Sequence, residues 1–301
     1  MLAARDGLLL RTFLLPHPRP RARLLLLNGR ADFLEKWAAL FAELHALGFA
    51  LAAFDWRGQG GSGREISGDA GHIDSFDTWV DDLEGIVHWL PDALPGDAPW
   101  LMLAHSMGGH LLLRWLARRA ERGDTTLSPA GAVLMAPFID FAMPQPLRGL
   151  LLKLAAWQVA RGQGRHFAPG QGPWGPHREA ASRMAILTSD RAQFEDEGRW
   201  VRANPSLAVG GVTWGWLAAA AESHRALARA PLSRIDLPVL MLLAGRERLV
   251  SNPAAVALAG RLPAAEVVLM PDAAHEILRE APPLRAEALS RIQAFAARAG
   301  A

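Results

Sequence analysis

Seven short apolar runs alternate with helix-patterned segments along this chain, and that alternation restricts the fold more than any other feature. The runs are Leu8–Leu15, Ala22–Leu27, Ala50–Phe54, Trp100–Ala104, Gly131–Ala136, Pro238–Ala244 and Glu266–Met270. Periodicity alone does not separate a buried strand from a buried helix in runs this short. Their length and their flanking Gly and Pro residues favour strands. The segments Phe33–Leu47, Phe76–Leu90, Met107–Arg119, Pro253–Arg261 and Pro283–Ala297 carry helical patterns. Such alternation builds a mostly parallel central sheet with helices on both faces, so the predicted fold class is α/β.

The alternation stops after Pro137 and resumes at Leu237-Pro238. In between, the pattern is helical around a Gly- and Pro-rich stretch from Gly162 to Pro176. This predicts a core formed by residues 1–139 and 233–301, with a helical cap, residues 140–232, inserted between two sheet strands. A chain of 301 residues, 50% hydrophobic, has the apolar material for one such core. Six aromatic residues of the insertion, Trp157, Trp174, Phe194, Trp200, Trp214 and Trp216, are expected mainly to build a small core of the cap itself. The rest, with Trp157, Trp214 and Trp216 as the candidates, would line an apolar substrate pocket beneath it.

Charge points away from nucleic acid. The sequence pI is near 9.8, but the formal net charge is only +2. Of 32 basic residues only Lys36 and Lys153 are lysine, and with no Cys and no Tyr little titrates between neutral pH and the arginine range. The basic clusters are short, Arg19 to Arg23 beside prolines and Arg118 to Arg122 at a helix end. The absence of Cys excludes disulfides, thiolate metal sites and a cysteine nucleophile. No basic-then-apolar leader opens the chain, and no run reaches the roughly 18 apolar residues of a membrane span. A cytoplasmic protein is expected. The segment Leu147–Val159 is apolar apart from Arg148, Lys153 and Gln158. The plainer expectation is a cap helix packed on the core; the alternative is peripheral contact with a membrane or micelle.

The run from Leu101 to His110, Leu-Met-Leu-Ala-His-Ser-Met-Gly-Gly-His, holds the chemistry. A strand ends at Ala104-His105, Ser106 follows, and two glycines open a helix. A turn this tight strains the serine backbone and lifts its hydroxyl above the sheet, and only small residues fit two positions away, here Ala104 and Gly108. Serine needs a base to take its proton and a carboxylate to orient that base. His275 lies directly after the last expected strand, where the base belongs in the order serine, acid, histidine. Glu247 is the only carboxylate between Asp236 and Glu266 and is the first candidate acid. Asp140, after the preceding strand, is the alternative. The Met107 N–H at the start of the helix and the Arg30 N–H after Asn28-Gly29 are placed to hold an oxyanion, with Gly29 making the sharp turn. The Arg30 side chain stands where it can meet a polar or anionic head group. Asp55 to Gly63 lacks the order and the lysine of a phosphate cradle, so it is expected to be structural, Asp55 and Arg57 bracing the sheet edge. Asp81-Asp82 is expected on a solvated helix face. His72 and Asp74 are too few for a metal site.

Together Asn28-Gly-Arg30, Asp55-Trp-Arg-Gly-Gln-Gly-Gly-Ser62, His72-Ile-Asp-Ser-Phe76, Ala104-His-Ser-Met-Gly-Gly109, Glu247-Arg-Leu-Val-Ser-Asn252 and His275-Glu-Ile-Leu278 resemble the α/β-hydrolase superfamily. Within it they resemble the serine hydrolases of the bacterial lysophospholipase and monoacylglycerol lipase group, of the S33 serine aminopeptidase type. The resemblance covers nearly the whole chain outside the insertion. It implies cleavage of a single-chain lipid ester without cofactor or metal, with Ser106 as nucleophile, His275 as base and Arg30 and Met107 as oxyanion donors. Most members carry Gly where Ala104 stands and Asp where Glu247 aligns. The same constellation also suits esterases of small soluble esters, amide or peptide hydrolases and acyltransferases. A binding protein on the same fold is the alternative of another class.

Overall fold

The computed structural model describes residues 1–301. Strands β1 (Leu2–Ala3) and β2 (Leu9–Leu10) form a small antiparallel pair. They are followed by β3 (Thr12–Leu15), β4 (Ala22–Leu27), α1 (Ala38–Ala46), β5 (Phe49–Phe54), α2 (Phe76–Ala93), β6 (Trp100–His105), α3 (Met107–Arg122) and β7 (Gly131–Met135). Then come α4 (Gln145–Ala160), α5 (Ala181–Leu187), α6 (Arg191–Ala203) and α7 (Trp214–Arg229), before β8 (Val239–Ala244), α8 (Asn252–Ala259), β9 (Ala265–Met270) and α9 (Pro282–Arg298).

The main sheet has seven strands in the order β3-β5-β4-β6-β7-β8-β9. Only β3 runs antiparallel, against β5. Every residue of β5, β6, β7 and β8 is buried, as expected of strands covered on both faces. The strand order reverses between β4 and β6. The crossover through α1 runs one way and the crossover through α2 returns past it, so the carboxyl ends of β4 and β6 flank a crevice. Ligand sites of open α/β sheets form at such a switch point. The loop after β4 and the turn after β6 both open there.

The expected strand Leu8–Leu15 is interrupted. The Arg11 N–H donates to Ser62 Oγ at 2.8 Å instead of a neighbouring strand. Its guanidinium binds Asp55 and Glu35, so the chain divides into β2 and β3 around it. The expected helix from Phe33 begins as a 3-10 turn, Leu34–Trp37, before α1. The pair Asp81-Asp82 is not a solvated face. Asp82 is 5% exposed and takes two hydrogen bonds from Arg57, 2.8 and 2.9 Å, while Asp81 pairs with Arg118. An arginine buried near the sheet edge needs a carboxylate facing it, and α2 supplies one.

The aromatic residues of the insertion do not form a core of their own. Trp214 and Trp216 belong to the same buried cluster as the sheet, and the Trp216 ring lies 5.4 Å from Phe76 and 5.7 Å from Phe138. Trp174 packs on a small satellite of Phe33, Val201, Leu207 and Ala208. Trp157 and Trp200 are exposed. Helix α4 packs on α7, but Ala155 is its only buried residue. No helix is long and apolar enough to cross a membrane.

Candidate active site

Ser106 sits between β6 and α3 with φ 52° and ψ −115°. This backbone region is costly for a residue with a side chain, roughly 1–3 kcal/mol, and persists only where the surroundings enforce it. Here the Ser106 N–H donates to Met135 O at 2.9 Å and the Ser106 carbonyl accepts from Gly109 and Phe138. A Cβ on Gly108 would stand 2.3 Å from the Leu27 carbonyl oxygen and 2.6 Å from that of Asn28. Glycine there lets α3 approach the end of β4, which brings the serine to the loop of residues 28–32. At Gly29 the need is also close approach, since a Cβ would lie 2.9 Å from His105 Nδ1. The left-handed residue of that loop is Ala31, φ 61°, not Gly29.

His275 Nε2 lies 3.0 Å from Ser106 Oγ, and His275 Nδ1 lies 2.7 Å from Glu247 Oε2. The Glu247 side chain is only 2% exposed. Its other oxygen accepts the N–H groups of Arg248, Leu249 and Val250 at 3.0, 2.7 and 3.2 Å. Burial pushes this carboxyl up; the His275 hydrogen bond and charge, with the Leu249 and Val250 N–H groups, outweigh it and hold the carboxyl below its ordinary value. Asp140 stands apart, ion-paired with Arg148 and accepting the Phe141 N–H. It faces a separate groove of about 660 Å³ between α4, α7 and α8, which no residue of the Ser106–His275–Glu247 chain lines.

Two N–H groups flank the serine hydroxyl's surroundings. Met107 is the first residue of α3, where N–H groups lack a partner within the helix. The Arg30 N–H donates to no acceptor within the protein. Both residues line a cavity of about 400 Å³ that also contains Ser106 and His275. Phe138, Phe141, Val212, Trp216, Leu217, Leu249 and Val250 supply its apolar wall. Of the expected pocket residues only Trp216 lines it. Trp214 is buried behind, at the amino end of α7, and Trp157 projects from α4 under the Arg161 guanidinium, 4.8 Å from its ring.

Several supporting residues had no motif to mark them. His105 Nε2 lies 3.2 Å from the His275 carbonyl oxygen, and its ring stands 4.9 Å from the His275 ring. Asp32 accepts the Gly29 N–H at 2.8 Å and lies 3.5 Å from His105 Nδ1. Lys36 is buried among Asp32, Glu276 and Glu197 at 2.6, 2.6 and 3.1 Å. Glu280 accepts the Ala274 N–H at 2.5 Å and the Ser189 N–H at 2.7 Å. The His275 and Glu276 N–H groups donate to the carbonyls of Ile186 and Leu187. The loop bearing His275 is thus bound to the helices inserted between β7 and β8. The signal available in the sequence was a carboxylate adjoining the histidine, Glu276, and a lone lysine, Lys36, in an arginine-rich chain.

Residues 18–282 match the model of the family described as serine aminopeptidase, S33. Over 280 residues the chain is 29% identical to the probable lysophospholipase L2 of Haemophilus influenzae, covering 93% of this chain and 85% of that protein. It is 30% identical over 281 residues to lysophospholipase L2 of Escherichia coli strain K12, covering 89% and 78%. Among solved structures, a soluble variant of monoglyceride lipase from Saccharomyces cerevisiae, in complex with a substrate analog, superposes with a TM-score of 0.70 at 18% identity, covering 98% of this chain and 93% of that one. The fold is that of the α/β-hydrolases, and with the family match across most of the chain and the lysophospholipase relatives agreeing, this chain belongs to the S33 serine aminopeptidase family.

Proposed function

We propose that this protein hydrolyses the carboxylic ester of a single-chain lipid through an acyl-enzyme. The observation that carries the proposal is the chain of contacts from Ser106 Oγ to His275 Nε2, 3.0 Å, and from His275 Nδ1 to Glu247, 2.7 Å, at the wall of a largely apolar cavity. Ser106 Oγ attacks the acyl carbon as His275 Nε2 takes its proton. Glu247 accepts the Nδ1–H hydrogen bond, which keeps that proton on Nδ1, and stabilises the imidazolium. The oxyanion forms against the N–H groups of Arg30 and Met107. His275 then gives its proton to the departing alkoxide. A water deprotonated by His275 attacks the acyl-enzyme, and the free acid leaves. The relatives described as lysophospholipases, and the apolar wall of Phe138, Phe141 and Trp216 as acyl contact, support the lipid reading. Residues 140–232 serve as the cap over a core of residues 1–139 and 233–301.

Removal of an amino-terminal residue from a peptide fits less well. Recognition of a free ammonium needs an unpaired carboxylate in the cavity. Asp32 and Glu276, which line it, are already bonded to Lys36.

The cap helix α4 gives this protein a face toward lipid. Leu147, Leu150, Leu154 and Trp157 recur at helical spacing and are all exposed, Leu150 by 66%. Lys153 and Arg161 flank them and suit the anionic head groups of a bilayer. The occupant proposed for this stripe is the lipid surface that presents the substrate.

A fluorophosphonate probe tests the hydrolase reading. The wild type is expected to label and Ser106→Ala not to. A panel of esters graded by acyl length is expected to favour long single chains. An unlabelled wild type overturns the acyl-enzyme, and equal or better turnover of acetyl esters overturns the lipid substrate.

A further inference from the structure

The cavity lining divides by chemistry. Against the apolar wall stand three arginines, Arg30, Arg178 and Arg183, together with Lys36. Most of the buried charge around them is matched. Lys36 is held by Asp32, Glu276 and Glu197. Arg183 binds Glu197 at 3.0 Å and Arg279 binds Glu276 at 2.8 Å. Three carboxylates therefore serve three cations. Arg30 and Arg178 are left over: neither has a carboxylate within 4.0 Å. Arg30 Nη1 donates to the Gly210 carbonyl at 3.0 Å. The Arg178 side chain donates to nothing within the protein, and its Nε is buried without a partner.

Unmatched cations at such a place repel each other. Burial, with the charges of Arg178 and Arg183, presses the Arg30 guanidinium down to about 9. Burial and Arg183 lower Arg178 in the same way. Arg30 and Arg178 are half-buried at the cavity wall, where an unpaired charge has lost part of its hydration and is stabilised by a counter-charge, and the buried Arg178 Nε without an acceptor adds to the cost. An anion entering the cavity would satisfy both arginines at once. Arg30 also belongs to the loop whose N–H faces the reacting carbonyl, so the anion would sit on the ester's own side of the cavity, a short linker away.

We propose that Arg30 and Arg178, backed by Arg183, form a subsite for the phosphate-ester anion of the leaving group, so that the substrate is a monoacyl phospholipid rather than a neutral monoacylglycerol. This rests on the hydrolase reading above. The two non-bridging oxygens of a phosphodiester carry one charge and present the paired acceptors that guanidinium groups bind best. A neutral glycerol head group would leave both arginines uncompensated.

Binding and turnover test it separately. Ether-linked 1-O-hexadecyl-glycero-3-phosphocholine has no scissile ester. It is expected to bind wild type at least tenfold more tightly than 1-O-hexadecylglycerol, and Arg178→Gln is expected to remove that preference. In turnover, the ratio of kcat/KM for 1-palmitoyl lysophosphatidylcholine over that for monopalmitoylglycerol is expected to fall at least tenfold in Arg178→Gln. The loss should lie mainly in KM, with partial recovery in Arg178→Lys. Inorganic phosphate separates the sources of the anion. If it protects the wild type against heat as well as the ether phospholipid does at equal concentration, the site belongs to free phosphate and the lipid assignment falls. Equal binding of the two ether lipids, or an unchanged ratio in Arg178→Gln, overturns the subsite. Because the ether lipids are not hydrolysed, this outcome is distinct from failure of fluorophosphonate labelling, which overturns the hydrolase reading alone.

Discussion

Glu247 illustrates how a single residue acquires its role from its surroundings. It lies between Arg246 and Arg248 in an exposed loop, yet its carboxylate turns inward, accepts three backbone N–H groups and meets His275. The His275 hydrogen bond and charge, with the Leu249 and Val250 N–H groups, hold this carboxyl below its ordinary value despite burial. Glu247→Gln is expected to lower kcat by about 10³–10⁴-fold, as loss of the orienting carboxylate does in this chemistry. Asp140→Asn should change kcat by less than about threefold, since Asp140 pairs with Arg148 instead; steady-state kinetics on one soluble ester compares the two, and the reverse ranking would place the acid at Asp140. Because its carboxyl lies below the ordinary value of 4.5, Glu247 should not set the acid limb of kcat/KM above that value, which a pH profile of kcat/KM checks. Ser106 was legible as the candidate nucleophile because a strand, a serine, two glycines and a helix follow one another locally, and His275 as the candidate base because it directly follows the last expected strand. His105, Asp32, Arg178 and Arg183 were not legible as site residues, because their contacts bridge segments far apart in the chain.

At the scale of elements, α4 shows where periodicity stops informing. An apolar stripe on a helix ordinarily marks the face turned to the core. Here the stripe Leu147, Leu150, Leu154 and Trp157 faces outward, and α4 meets α7 by its other side. The lipid-surface role assigned to it predicts that Leu147→Glu with Leu150→Glu lowers partitioning onto phosphatidylglycerol vesicles at least tenfold. Each buried leucine side chain contributes about 1.5–3 kcal/mol, and each 1.4 kcal/mol is a factor of ten. Hydrolysis of a short soluble ester serves as the control for folding; vesicle co-sedimentation equal to wild type would remove the role. The strands show the opposite situation. Continuous apolar runs such as Leu101–Ala104 can only be buried on both faces, and the sheet does so. The run Leu8–Leu15 broke because Arg11 in its middle answers to Asp55 and Glu35 from elsewhere in the fold, which no local pattern announces.

For the molecule as a whole, a buried ionic network joins the sheet's loops to the inserted helices. Lys36 beside β4's loop, Glu197 on α6 and Glu276 beside His275 meet at one point. Burial raises the Glu197 carboxyl, but Lys36, Arg183 and Arg279 bring it down to about 2 from 4.5. The folded value lies below the unfolded one, so the unfolded chain binds more protons as pH falls from 4.5 towards 2. Stability present above pH 4.5 is therefore lost across that window. In Glu197→Gln the slope of stability against pH there should flatten by about one proton, read from denaturant titrations at several pH values; an unchanged slope would mean the network does not hold the inserted helices to the sheet's loops. The amino-acid sequence by itself determined the α/β class and singled out Ser106 and His275 as candidates, together with the stretch where the strand alternation pauses, because these depend on local pattern and on short steric rules. Only the tertiary structure decided that Glu247 and not Asp140 meets the histidine, that Trp216 alone of the expected three enters the cavity, and that two arginines are left without a counter-charge. Burial, pairing and charge balance are properties of neighbours in space, and most of these neighbours lie far apart along the chain.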